Sequence, residues 1–103
     1  MIIKWLGHSS FQLINKQGMK LVTDPYDSSV GYELLYPEAD VVTSSHDHFD
    51  HNYYAGVKGN FEKINTTGSF NLHGYEINGY DSFHDAHGGS DRGSNIVYTI
   101  AAD

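Results

Sequence analysis

The chain has 103 residues, 39% of them hydrophobic, a net charge of −7 and no cysteine. This length fits one domain over residues 1–103, and the composition is that of a folded chain, not a disordered one. The acidic balance argues against nucleic-acid binding, which needs a basic face to neutralise phosphates. Without cysteine there are neither disulfides nor thiolate ligands, so any metal site must use nitrogen and oxygen.

The sequence offers no targeting or membrane segment. Its first eight residues lack the run of about seven or more apolar residues that a signal peptide needs. No stretch reaches the roughly 18 apolar residues that cross a bilayer. We therefore expect a cytoplasmic protein without a membrane contact.

Short β-type runs separated by turn residues dominate the chain. Runs at 2–6, 11–14 and 20–23 predict an opening β-meander, with a hairpin turn at 15–18 between the second and third strands. The apolar, β-branched run 41–43 predicts a strand buried on both faces. Further strands are predicted at 61–65, 69–72, 75–82 and 95–102, with a turn at 73–74.

Helix is the minority element. Residues 52–57 predict a helix of one or two turns, stopped by the glycines at 56 and 59. Residues 26–38 predict a polar, irregular loop, and residues 85–94 a glycine-rich loop. The sequence thus predicts an α+β fold, mostly of strands, with one short helix.

Residues 46–51, here called the ligand segment, read His-Asp-His-Phe-Asp-His. In an extended segment alternate side chains share a face, so His46, His48 and Asp50 can converge on one point. If the chain turns into a helix after Asp50, His51 can reach a second point nearby. Imidazole and carboxylate without thiolate suit zinc, manganese, iron or nickel. The alternative is a polar loop whose histidines aid solubility or cap the next helix.

A further histidine follows the strand predicted at 75–82. On its own, His84 reads as an ordinary surface residue at a strand end. A third imidazole is, however, what His46 and His48 need to close a three-histidine metal site. We therefore expect His84 to be a metal ligand if the ligand segment binds metal.

The pattern H-x-H-x-D-H over the ligand segment resembles the hallmark of the metallo-β-lactamase superfamily. Flanking segments resemble its branch of zinc-dependent hydrolases that includes ascorbate-6-phosphate lactonase-like proteins. Those segments are 5–11, 23–25, 42–46, 83–85 and 92–95. The resemblance implies a four-layer αβ/βα sandwich of two similar halves, of which this chain is a single partial domain, the amino-terminal half.

The resemblance also implies roles for individual residues. One metal would be bound by His46, His48 and His84, and a second by Asp50 and His51. Asp50 is the ligand to which the resemblance also gives a catalytic part. Asp24 would support the ligand segment without touching a metal; the alternative is a plain Asp-Pro turn.

The implied activity is that of a hydrolase holding one or two zinc ions, with manganese, iron or nickel left open. Hydroxide formed from metal-bound water would attack an ester, lactone, amide or phosphodiester of a small-molecule substrate. Family members continue past a strand such as 95–102 to an aspartate that bridges both metals and to a last histidine ligand. Both are missing here, so we expect the chain alone to be incomplete.

Two other interpretations stay open. The chain could be a non-catalytic metal-binding or self-associating half-domain, since the strand at 95–102 would leave an open edge for a second copy or a complementing chain. It could also be a fragment with no independent role.

Overall fold

The chain folds into two β-sheets. A computed structural model describes residues 1–7, 9–26, 37–45, 54–83 and 94–102. None of the helices in these ranges is long and apolar enough to cross a membrane. The strands are β1 (Ile2–Gly7), β2 (Ser10–Ile14), β3 (Lys20–Thr23), β4 (Val41–Thr43), β5 (Glu62–Ile64), β6 (Gly68–Leu72), β7 (Tyr75–Phe83) and β8 (Ser94–Ala102).

The first sheet contains five strands in the order β1-β2-β3-β4-β5. The first three pair antiparallel, which confirms the predicted meander. β4 and β5 then pair parallel to β3 and to each other. The carboxyl ends of β3, β4 and β5 therefore lie at one edge of the sheet, and Asp24 and Ser44 each follow one of them directly.

β4 is buried on both faces, as its sequence predicts. Val41 packs with Leu21 and Ile64 in the core on one side of the sheet. Val42 packs with Val22 on the other side, against a second cluster that includes Tyr54. A strand enclosed in this way must satisfy every backbone polar group within the protein, including those at its two ends.

The second sheet is antiparallel, in the order β6-β7-β8. The predicted turn at 73–74 is confirmed: His73 and Gly74 have φ values of 51° and 85° and join β6 to β7. Positive φ at both central residues is the signature of a type I′ hairpin turn. β7 and β8 then form a regular hairpin from Tyr75–Ala102 to Phe83–Ser94.

The two sheets enclose one apolar core. Leu13, Leu21, Val41 and Ile64 of the first sheet pack against Tyr75 and Ile77 of the second. Polar contacts join the sheets at the β6–β7 turn as well. The Tyr75 hydroxyl lies 2.8 Å from the Met19 carbonyl and 3.1 Å from that of Leu13. Asn15 donates from its side chain to the His73 carbonyl at 2.9 Å.

The short helix predicted over 52–57 is described from residue 54 onward. Within the described residues, this segment forms a 3₁₀ turn at Tyr54–Gly56. The turn ends there because Lys58 pairs with an earlier segment of the same chain. Its amide donates to the Pro37 carbonyl at 2.8 Å, and it forms a parallel bridge with Glu38. Most of the loops predicted at 26–38 and 85–94 lies outside the described residues, namely 27–36 and 85–93.

Replacing Gly79 in β7 by alanine tests how closely β7 packs against Tyr98 of β8 and against Thr66 in the connection before β6. Glycine is unfavourable in a strand, so alanine would stabilise an open position. Here an added Cβ would lie 2.9 Å from the Thr66 carbonyl oxygen and 3.0 Å from a ring carbon of Tyr98. The clash outweighs the propensity gain, and we expect the free energy of unfolding to fall by about 1–3 kcal/mol.

Urea unfolding followed by tryptophan fluorescence measures the effect of the Gly79→Ala change. The matched control is Ala101→Val, which adds volume at an exposed position of β8. It should leave the midpoint nearly unchanged. A Gly79→Ala chain as stable as the wild type would contradict the close approach of Thr66 and Tyr98 to Gly79.

Candidate functional site

Ser44 and Ser45, here called the serine anchor, lie between the end of β4 and the start of the ligand segment. Ser44 is 3% exposed. The amide, carbonyl and hydroxyl groups of both serines, six polar groups in all, each have a hydrogen-bond partner. The chain therefore enters residue 46 from a dipeptide whose position is fixed on every side.

The partners of Ser44 come from three elements. Its amide donates to the Ile64 carbonyl at 2.9 Å, which extends the β4–β5 ladder by one bond. Its carbonyl accepts a bond from the Tyr98 hydroxyl at 3.0 Å. Its hydroxyl lies 2.8 Å from the hydroxyl of Tyr54 in the 3₁₀ turn.

Ser45 is held by the carboxylate of Asp24 and by β8. Its amide donates to one Asp24 oxygen at 2.6 Å, and its hydroxyl donates to the other at 3.0 Å. Its carbonyl accepts from the Ile96 amide at 2.7 Å. Hydrogen bonds to a carboxylate are stronger than bonds between neutral groups, so the two bonds to Asp24 are the strongest that Ser45 makes.

The backbone of Asp24 directs its side chain toward Ser45. Its φ is 43°, in the left-handed region that aspartate and asparagine tolerate better than most residues. Its own amide donates to the Thr43 carbonyl at 2.7 Å, which ties the end of β3 to the end of β4. The structure thus places the Asp24 carboxylate against Ser45, the residue that precedes the ligand segment in sequence. Support of a metal site by Asp24 stays a prediction.

Tyr98 and Tyr54 are contacts of the serine anchor that the sequence analysis missed. Tyr98 lies on β8 and donates to the Ile64 carbonyl at 3.2 Å as well as to Ser44. Burial most of all, and then electrostatic interaction with the Asp24 carboxylate and with Tyr54, raises the pKa of its hydroxyl far above the ordinary value. The hydroxyl therefore stays protonated and able to donate. With eight tyrosines in the chain, nothing in the sequence marks these two.

The segment that carries His84 starts at the same edge of the fold as the ligand segment. β7 ends at Phe83, which pairs with Ser94, and Ile96 bonds to Ser45 two residues further on. The path from Phe83 to Ser45 crosses from β7 to β8, follows β8 from Ser94 to Ile96, and then crosses to Ser45. Each crossing is about 5 Å and the two strand residues span about 6.6 Å, so Phe83 and Ser45 are on the order of 10–15 Å apart. The residues that immediately precede His46 and His84 in sequence therefore lie at the same edge of the fold.

All five predicted metal ligands lie outside the described residues: His46, His48, Asp50, His51 and His84. Within the described ranges, no group of three or more His, Asp or Glu side chains is arranged to hold a metal ion. Metal coordination by the five predicted ligands stays a prediction. The exposed His73 lies in the turn at the other end of β7, away from this edge.

Substitutions of Asp24 test how far it holds the serine anchor. Asp24→Ala leaves the amide and hydroxyl of Ser45 without these acceptors and places alanine at a positive φ. We expect the free energy of unfolding to fall by about 1–3 kcal/mol or more. Asp24→Asn tolerates the same φ and keeps one acceptor oxygen, so it should lose less.

Urea unfolding of both Asp24 variants measures the difference. Hydrogen exchange of the Ser45 amide gives a local reading, and it should accelerate more in Asp24→Ala than in Asp24→Asn. Equal stability and equal exchange in the two variants would show that the carboxylate does not hold Ser45.

Comparison with known proteins identifies the family to which the chain belongs. A family model described as the Beta-lactamase superfamily domain matches residues 2–103. A curated protein from Methanobrevibacter smithii, described as a metal-dependent hydrolase, is 36% identical over 56 residues. That alignment covers 50% of this chain and 23% of the relative.

Two solved structures are similar in fold. One, from Thermotoga maritima and assigned as a Zn-dependent hydrolase of the metallo-β-lactamase superfamily, has a TM-score of 0.74 and 38% identity, over 98% of this chain and 44% of that chain. The other, from Parabacteroides distasonis and assigned as a metal-dependent hydrolase, has a TM-score of 0.73 and 17% identity, over 98% of this chain and 56% of that chain. The present chain thus spans less than half of the Thermotoga protein.

Proposed function

Since the chain belongs to the metallo-β-lactamase superfamily of metal-dependent hydrolases, we propose that it forms the amino-terminal half of such an enzyme. The fold class expected from the sequence is confirmed: the chain is mostly strands and matches part of a metallo-β-lactamase fold over 98% of its length. The activity of the whole protein, its metal and its substrate are parts of the proposal.

The observation that carries this proposal is the serine anchor with the ligand segment directly after it. A metal site needs ligands held by a supporting shell of hydrogen bonds, and here that shell surrounds the last two residues before His46. The nitrogen and oxygen donors of the ligand segment suit zinc, and a cysteine-free chain offers no competing thiolate site. The donor set thus fits a divalent metal.

We assign His46, His48 and His84 to one metal, and Asp50 and His51 to a second. A bound metal would supply Lewis acidity, which makes water nucleophilic near neutral pH and polarises the bond to be cleaved. Asp24 would keep the ligand segment in place through Ser45. The proposed metal is zinc, and the proposed substrate is a small molecule with an ester, lactone, amide or phosphodiester bond. The expected cytoplasmic location stays a prediction.

Metal analysis of the purified chain tests this assignment. The wild type should retain zinc after gel filtration, measured by inductively coupled plasma mass spectrometry, and His46→Ala should lose most of it because one of three imidazoles is removed. The control is His73→Asn, which removes an exposed imidazole in a turn with positive φ that asparagine tolerates. Equal metal content in the wild type and His46→Ala would remove the basis for the assignment.

A second candidate function, self-association, is favoured by the apolar edge of the first sheet. β1 pairs with β2 alone among the described strands, and Ile2, Ile3 and Trp5 on it are 56%, 64% and 60% exposed. β8 likewise lies at the edge of the second sheet. Edge strands with apolar side chains recruit further strands, so we propose that β1 pairs with a second copy of the chain.

Light scattering coupled to gel filtration tests self-association. The wild-type mass should rise with concentration, and Ile3→Glu should keep the chain monomeric because a charge would be buried in the new interface. The control is Tyr80→Glu, an exposed position on β7 away from β1. A wild type that stays monomeric at all concentrations would rule this candidate out.

A further inference from the structure

We propose that Tyr98 is a positioning residue for the metal site: its hydroxyl fixes the carbonyl of Ser44, and with it the point at which the ligand segment leaves β4. This inference rests on the proposed function, since it concerns the same site. It assigns a supporting role in metal binding to a residue of the second sheet that is not one of the proposed ligands.

The argument starts from the end of the β4–β5 ladder. Thr43 pairs with Ile64, and the Ser44 amide adds one more bond to the Ile64 carbonyl. β5 ends at Ile64, so the carbonyl of the buried Ser44 meets no further strand residue in this ladder. A buried carbonyl needs a donor, and the Tyr98 hydroxyl supplies one from the opposite sheet at 3.0 Å.

The same hydroxyl lies 3.2 Å from the Ile64 carbonyl, so its single proton is shared between the ends of β4 and β5. This arrangement fixes the spacing of the two strand ends relative to β8. Ile96, two residues before Tyr98, bonds to the Ser45 carbonyl. β8 is therefore hydrogen-bonded to both residues of the serine anchor. In sequence, β8 comes directly after the segment that carries His84.

The ring and the hydroxyl of Tyr98 have separable roles. The ring packs against the core and lies close to Gly79, so removing it would disturb the whole second sheet. Tyr98→Phe keeps the ring and removes only the donor. The variant thus isolates the contact with the serine anchor from the packing of β8.

The experiment titrates the full chain with cobalt(II), whose visible absorption reports ligand geometry, and with zinc in competition. Tyr98→Phe should bind roughly tenfold more weakly, the lower end of the effect of removing a supporting hydrogen bond behind a metal ligand. Its cobalt band should also change in position or intensity. The control is Tyr80→Phe, which removes an exposed hydroxyl from the same sheet and should match the wild type.

A second measurement uses the wild-type chain and does not depend on how well the variant folds. With tyrosine labelled at Cζ, the Tyr98 resonance should shift when zinc is added, while that of Tyr80 stays in place. Tyr98→Phe with wild-type affinity and an unchanged cobalt spectrum, or a Tyr98 resonance insensitive to zinc, would overturn this inference alone. A wild-type chain that binds neither metal would overturn the proposed function and this inference together.

Discussion

One constraint governs this edge of the fold. Because β4 is buried on both faces, the backbone groups just beyond its end must also find hydrogen-bond partners within the protein. Inside β4, neighbouring strands satisfy the backbone; beyond Thr43 they no longer do, and each unsatisfied buried group would cost about 1–3 kcal/mol. The serine anchor meets this constraint with bonds from β5, the 3₁₀ turn, Asp24 and β8. Four separate parts of the chain meet at Ser44 and Ser45 for this reason.

The same constraint makes this edge a suitable base for a functional segment. Binding and catalytic residues commonly lie on loops held by a rigid scaffold. Here the scaffold spans both sheets, because Asp24 belongs to the first and Tyr98 and Ile96 to the second. Tyr75 and Asn15 join the sheets at the β6–β7 turn, so the sheets are linked by polar contacts at two separate places.

The strands were predictable from sequence to within about two residues because each signal is local. Alternation, β-branched residues and turn residues locate β1 to β8, and His73-Gly74 meets the needs of a tight hairpin. The family pattern singled out Asp24, which the structure shows bonded to Ser45, while its support of a metal site stays a prediction. Tyr98 was not predictable from sequence, because its bond to Ser44 joins residues 54 positions apart. The short helix predicted over 52–57 is present where it is described, as a 3₁₀ turn at Tyr54–Gly56.

The β7–β8 hairpin gives the core a direct influence on the candidate site. Its register is continuous over nine residue pairs, without a bulge. Because successive side chains face opposite sides, sliding β8 by one residue would turn Tyr98 and Ile100 from the interior to solvent and would carry the Ile96 amide away from Ser45. Packing at Ile77 and the alignment of β8 with the serine anchor therefore depend on the same register. A substitution in the core of the second sheet that shifted this register would therefore displace the serine anchor without changing any residue of the candidate site.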